Sequence, residues 1–250
     1  METGPPDDFV PPPEQLPDLF DVLREFPHMF GNLYLQMQCR NISITDQQLN
    51  PMEENLLLRR IDEERTPLPD TFVLSAWSQM WVFAFFELMR TWKTLVDDNL
   101  KFARAITRAK SSEAREAIIN KKIAENDKAS RLTIDFGAYH RAAMAGVISM
   151  PEQNIQSLQG ALEATKLLRR MLAEVRTSLA KHEVAGARAY APSPGYGMIS
   201  PINGSIGWRI VYDNPRSEAI ISRRNIADEC RAIGRDMGCC RRGSKIDIPL

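Results

Sequence analysis

Side chains that titrate near neutral pH are scarce in this chain. Its 250 residues include only three histidines, His28, His140 and His182, and four cysteines, Cys39, Cys230, Cys239 and Cys240. The cysteines form no C-x-x-C pair and the histidines no H-E-x-x-H, so the spacings that build dedicated zinc sites are missing, and no EF-hand loop occurs. Neither metal nor cofactor is expected. An excess of one charge is missing too. The 32 Lys and Arg balance 32 Asp and Glu, so no global field draws the molecule onto nucleic acid or an anionic membrane, and any such binding must be local. Adjacent Cys239 and Cys240 are too close for a routine structural disulfide, a usage that suits a reducing compartment. The proline-rich start lacks the basic-then-apolar order of a secretory leader. The expected location is the cytoplasm. A phosphate loop is excluded because Ser200 stands where the third glycine after Gly195 and Gly197 should be, and a nucleophile elbow because Asn203 replaces the first glycine before Ser205.

Apolar periodicity is abundant instead. With 44% hydrophobic and 26% charged residues the chain has the composition of a folded globular protein, and at this length no staple is needed to hold a core. Helical spacing dominates up to Gly186. Leu19, Val22, Leu23 and Phe26 form one stripe before Pro27, and a second run covers Met29 to Met37. Thr45 to Glu64 reads as a helix with Pro51 placed in its first turn. Asp70 is positioned to cap the next helix, whose stripe of Val73, Trp77, Met80, Trp81, Ala84, Leu88, Trp92 and Leu95 makes it the expected buried spine. Thr71 to Met89 carries only Glu87 as a formal charge, yet Ser75, Ser78 and Gln79 suit a core helix better than a bilayer, so no integral insertion is expected. Attachment to a membrane surface through this aromatic helix is a further option. A thinner pattern spans Asp97 to Asn126, broken near Ser111 and Ser112, and Gln153 to His182 reads as one long amphipathic helix.

After Gly186 the character changes. Tyr190 to Gly207 is dense in Pro, Gly and Ser, then Trp208 to Tyr212 and Ala219 to Ile221 alternate around an Asp-Asn-Pro turn as a β-hairpin. Ile226, Cys230 and Ile233 mark a short helix begun by Ser222 or Asn225 and ended by Gly234. The fold class expected is mainly α: a helical bundle with a small C-terminal hairpin plus helix. Its organisation is an acidic proline-rich tail over 1–17, the bundle over 18–186, a linker over 187–207, the hairpin and helix over 208–236 and a basic tail over 237–250.

Two features carry chemistry. Nine basic residues against four acidic ones lie between Lys101 and Arg131, and Lys101, Arg104, Arg108, Lys121 and Lys122 are the candidate nucleic-acid contacts there. The second is Arg176-Thr177-Ser178-Leu179-Ala180-Lys181-His182. It resembles the R-x4–6-H pattern of the HEPN family of helical-bundle ribonucleases and toxin-like defence proteins. That resemblance implies metal-independent RNA cleavage by paired subunits, with His182 moving a proton or activating a 2′-hydroxyl and Arg176 stabilising phosphate charge. Positions six apart on a helix diverge by roughly 120°, so the two side chains converge only where the helix ends or bends near Leu179. The residues themselves, rich in apolar stripes and poor in titratable groups, point first to an interaction or assembly module, a homo-oligomer or the partner of another protein; the HEPN-like endoribonuclease acting on RNA is the alternative.

Overall fold

The structure, a computed structural model, describes residues 17–130, 144–180, 197–211 and 218–242. The chain is mainly helical, with a small three-stranded antiparallel sheet and a C-terminal helix. The tails at 1–16 and 243–250, with His140 and His182, lie outside the described residues.

α1 (Leu19–Arg24) starts at Asp18, whose carboxylate accepts the Phe20 N–H at 2.8 Å. The same carboxylate accepts hydrogen bonds from Ser43 and Gln47, which ties α1 to the next helix. A 3₁₀ turn over Met29–Gly31 leads into α2 (Leu33–Asp62), capped by the Asn32 side chain accepting from the Tyr34 and Leu35 N–H groups. The two segments read separately from sequence are therefore one 30-residue helix, and Pro51 sits in its interior, not its first turn. Proline has no N–H to give the Gln47 carbonyl. The helix continues because its inner face is buried on both sides of the proline, with Leu35, Cys39, Ile42 and Leu49 before it and Leu56 after.

α3 (Leu68–Arg108) runs unbroken for 41 residues, past the boundary expected near Asp97. It begins two residues before Asp70, with Pro67 as its N-terminal boundary, so Asp70 lies in the first turn and does not cap it. Its carboxylate still favours the positive helix end and pairs with Arg59 of α2. α4 (Ser112–Ser130) follows a turn at 109–111, where Ser111 accepts the Ala114 N–H at 3.2 Å. After a helical run over 144–149 come α5 (Pro151–Ala164) and α6 (Lys166–Ala180). The single helix expected from Gln153 is broken at Thr165, a buried residue whose hydroxyl bonds back to the Ala161 carbonyl at 2.7 Å. Such back-bonding competes with the backbone ladder and bends helices.

β1 (Met198–Ile199), β2 (Ile206–Val211) and β3 (Glu218–Ser222) form the sheet in that order, with Ile199 opposite Ile206 and Trp208 opposite Ile221. β1 and the turn after it come from residues read as linker. α7 (Arg223–Arg242) is capped reciprocally: Ser222 accepts the Asn225 N–H and Asn225 accepts the Ser222 N–H. It passes straight through Gly234. There α1 approaches so closely that a β-carbon would run into Val22, so this glycine serves packing and not termination.

One apolar core joins α1, α2, α3, α5, α6, the sheet and α7, and a smaller cluster pairs Phe102 and Ile106 with Met144 and Val147. Trp81 and Trp92 are fully enclosed and donate their indole N–H groups to the Ile42 carbonyl at 3.0 Å and the Pro27 carbonyl at 2.8 Å. Trp208, Ile210, Ile226 and Cys230 belong to the same core, because a small three-stranded sheet and one helix have too few apolar side chains to enclose a core of their own. The loop before β2 is fixed by Gly204, whose φ is +71° and which lies against the Glu53 carbonyl. Gly204→Ala combines a left-handed conformation with that overlap, and urea unfolding is expected to show a loss of at least about 2 kcal/mol.

Candidate functional site

Asp46 and Glu53 lie seven residues apart, two turns on one face of α2, and both are enclosed by protein. Into that face the start of α7 projects Arg223, Arg224 and Arg231, all three buried. Arg223 donates to both oxygens of Glu53 at 2.6 Å, to Asn50 at 2.7 Å and to Asp46. Its guanidinium carbon also stands 5.5 Å from the centre of the Trp81 ring on α3. Arg224 pairs with Glu53 at 2.9 Å, and Arg231 bridges Asp46 and Asp228. Ser205 donates to Glu53 at 2.8 Å and accepts the Arg224 N–H at 3.2 Å, which brings the loop before β2 into the cluster. Each carboxylate has an arginine and each arginine a carboxylate, the condition on which charges tolerate burial.

The electrostatics follow from this pairing. Burial works against the Arg223 charge, but Glu53 and then Asp46 outweigh it and hold its pKa above the ordinary arginine value. Burial raises the Asp228 carboxyl despite Arg231 and Arg224 nearby. Burial also pushes the Cys39 thiol up to about 12 and raises Cys230, which leaves both without thiolate at neutral pH. His28, in a left-handed turn, has its pKa lowered by burial. The centre of the cluster is a lock in which Asp46, Glu53, Arg223, Arg224 and Arg231 are buried and answer one another, while Asp228 at its edge is partly open and lines a groove of about 500 Å³ with Leu167, Met171 and Ile220.

The residues singled out from sequence are dispersed. Arg176 lies on α6 with its guanidinium carbon 5.5 Å from the centre of the Phe86 ring of α3, so it packs one helix on another. Its intended partner His182 lies outside the described residues. Lys101, Arg104 and Arg108 sit on the last turns of α3, and Lys101 pairs with Asp98 at 3.2 Å. Lys121 and Lys122 belong to α4, across the turn at 109–111. A groove of about 680 Å³ beside that turn is lined by Lys110, Arg115, Ser149 and Glu152 among others, and none of the five candidate contacts reaches it. No group of His, Cys, Asp and Glu suited to a metal occurs among the described residues.

The expected spine divides into two faces. Trp81, Leu88 and Trp92 are buried as read, but Val73, Trp77 and Met80 are 48%, 46% and 70% exposed, and Phe72 is 57% exposed. The correction is geometric. A stripe of i, i+3 and i+4 residues this wide wraps beyond one contact face of a helix, and α2, α5 and α6 cover only the other side of α3. The outer stripe runs Phe72, Val73, Ala76, Trp77, Met80, Ala84, and an ion pair stands at each end of it, Arg59 with Asp70 and Glu87 with Arg90. On α2 the outer face repeats an apolar residue every seven positions, at Met37, Ile44, Pro51 and Leu58. α3 is also long and apolar enough to cross a membrane by length and composition, although 44% of its most apolar window is buried within the protein.

The chain matches no family model, no curated protein and no solved structure. Sequence reading missed the charge lock altogether, since its halves are at least 170 residues apart and the pairing leaves only a faint trace, acids at 46 and 53 and arginines at 223, 224 and 231.

Two outcomes follow. Arg223→Met strands Glu53 and Asp46 in the interior and is expected to destabilise the protein by about 3–5 kcal/mol in chemical denaturation, whereas Arg65→Met, an exposed member of a surface pair, changes stability by less than about 0.5 kcal/mol. In a residue-resolved iodoacetamide labelling experiment under native conditions, Cys39 and Cys230 stay unmodified and become reactive only on unfolding.

Proposed function

We propose that this chain is an assembly module of the cytoplasm, a rigid helical body that presents the outer stripe of α3 to a protein surface. The observation that carries the reading is the exposure of Phe72, Val73, Trp77 and Met80 side by side on one helix whose other face forms the core. A contiguous apolar patch of roughly 300–600 Å² is the largest a monomer ordinarily shows and commonly marks a binding surface. Tryptophan and methionine are among the residues enriched in interface centres, and tryptophan dominates their energetics. The stripe also lies on a preformed scaffold: Trp81 anchors α3 from behind through its indole N–H bond to the Ile42 carbonyl of α2 at 3.0 Å, with Phe85 buried beside it, so little ordering is required on association. Cys39 and Cys230, both free and buried, suit a reducing compartment.

In an extract of cells that naturally make the protein, the full chain is expected to migrate well above its monomer mass of 28.4 kDa, and Trp77→Glu with Met80→Glu to return it to that mass without loss of helical circular dichroism. Migration of the unaltered chain as a monomer in that extract overturns the reading.

A further inference from the structure

Resting on the assembly reading, we infer that the occupant of the outer α3 stripe is a second copy of this chain, bound about a two-fold axis near Met80 with the two α3 helices antiparallel. Charge separates this occupant from the others. The stripe is closed at its N-terminal end by Arg59, which pairs with both Asp70 and Glu63 while Arg65 pairs with Glu63 in turn, and at its C-terminal end by Glu87 with Arg90, so each end carries both signs and the charges named there cancel. An anionic lipid surface calls for a basic rim and a charged protein partner for a rim of the opposite sign. A rim that carries both signs at both ends is complementary to itself when one copy is turned end for end, because the Arg59–Asp70 end of one then lies beside the Glu87–Arg90 end of the other. An isologous interface demands this property, since one patch must serve as both partners.

Shape agrees. The stripe alternates bulky and small residues, with Trp77 and Met80 standing between Ala76 and Ala84. In an antiparallel pairing centred near Met80, the Trp77 ring of one copy falls opposite Ala84 of the other, so the largest side chain meets the smallest. A parallel pairing instead sets Trp77 against Trp77. Antiparallel helices also bring opposite macrodipole ends together. The exposed parts of the stripe amount to on the order of 500 Å² per copy, which supplies the apolar centre of an interface of ~800 Å² per partner once the charged rim is added. Lipid remains a testable rival, because α3 alone among the described helices is long and apolar enough to span a bilayer.

The experiment is sedimentation equilibrium on the purified full chain from 1 to 100 µM. The expected result is a species of twice the 28.4 kDa monomer, with Trp77→Glu and Met80→Glu each weakening self-association at least tenfold while the thermal melt is retained. Should either glutamate variant misfold, Met80→Cys keeps the test open, since a two-fold axis near that position brings the introduced thiols together and mild oxidation yields a covalent dimer above the background of the unsubstituted chain. A chain that stays monomeric to 100 µM, a dimer indifferent to both glutamate substitutions, or a Met80→Cys chain without added cross-link overturns the inference. So does a monomer that floats with neutral phosphatidylcholine vesicles in a Trp77-dependent manner. A purified monomer whose complex in the cell extract still depends on Trp77 removes the second copy and leaves the assembly reading standing; loss of both removes that reading as well.

Discussion

The Arg223 guanidinium is fully buried, and that constraint organises the rest of the molecule. A charge taken out of water loses several kcal/mol of solvation, which only close, well-aligned partners offset. Those partners come from two other helices, Glu53, Asn50 and Asp46 on α2 and the Trp81 ring on α3, while Ser205 of the loop before β2 and Arg224 of α7 share Glu53 with Arg223. A slip of α7 along α2 by one turn would leave carboxylates and guanidinium groups facing apolar surface. The cluster therefore acts on register more than on net stability. Apolar contacts between α7 and the bundle favour many docked arrangements, and the charge lock admits one. The same requirement explains the close approach at Gly204, which lets the loop carrying Ser205 sit against the Glu53 backbone, near enough for Ser205 to reach the Glu53 carboxylate.

Most of the fold was legible because its causes are local. Helix existence followed from apolar spacing, the start of α7 from Ser222 and Asn225, and the hairpin from alternation between Trp208 and Ile221. Boundaries were less legible where tertiary contacts override a local signal. Pro51 looked like a beginning and lies mid-helix, because burial of Leu49 on one side and Leu56 on the other outweighs one missing backbone bond. Gly234 looked like an end and is a contact with Val22. Thr165 carried no warning in a clean amphipathic pattern, since its effect depends on the hydroxyl turning back onto Ala161 once buried.

The candidate site was half legible. The aromatic richness of α3 was plain, but periodicity counts apolar residues without saying how many neighbours arrive to cover them. A helix apolar nearly all round can be enclosed by its own chain, by lipid or by another molecule. Among the described residues the chain covers one side only, with Trp81, Phe85 and Trp92 inside and Phe72, Trp77 and Met80 outside. The charge lock was illegible for a different reason: ion pairs between residues 170 or more positions apart leave no periodic trace.

These two features are mechanically related. α3 leaves an apolar stripe in solvent without distorting because its opposite face is held by Trp81, and Trp81 is held in turn by the Ile42 carbonyl of α2 and the buried Arg223. A free helix with this composition would bury both faces by collapsing on itself or on its neighbours, and the ordering cost of a binding surface would then fall at the moment of association. Fixing the helix from behind moves that cost into folding, so the exposed stripe meets its partner already formed. The polar lock at the centre and the apolar stripe at the surface are two ends of one arrangement, the first restricting how the elements dock and the second free to dock elsewhere because of it.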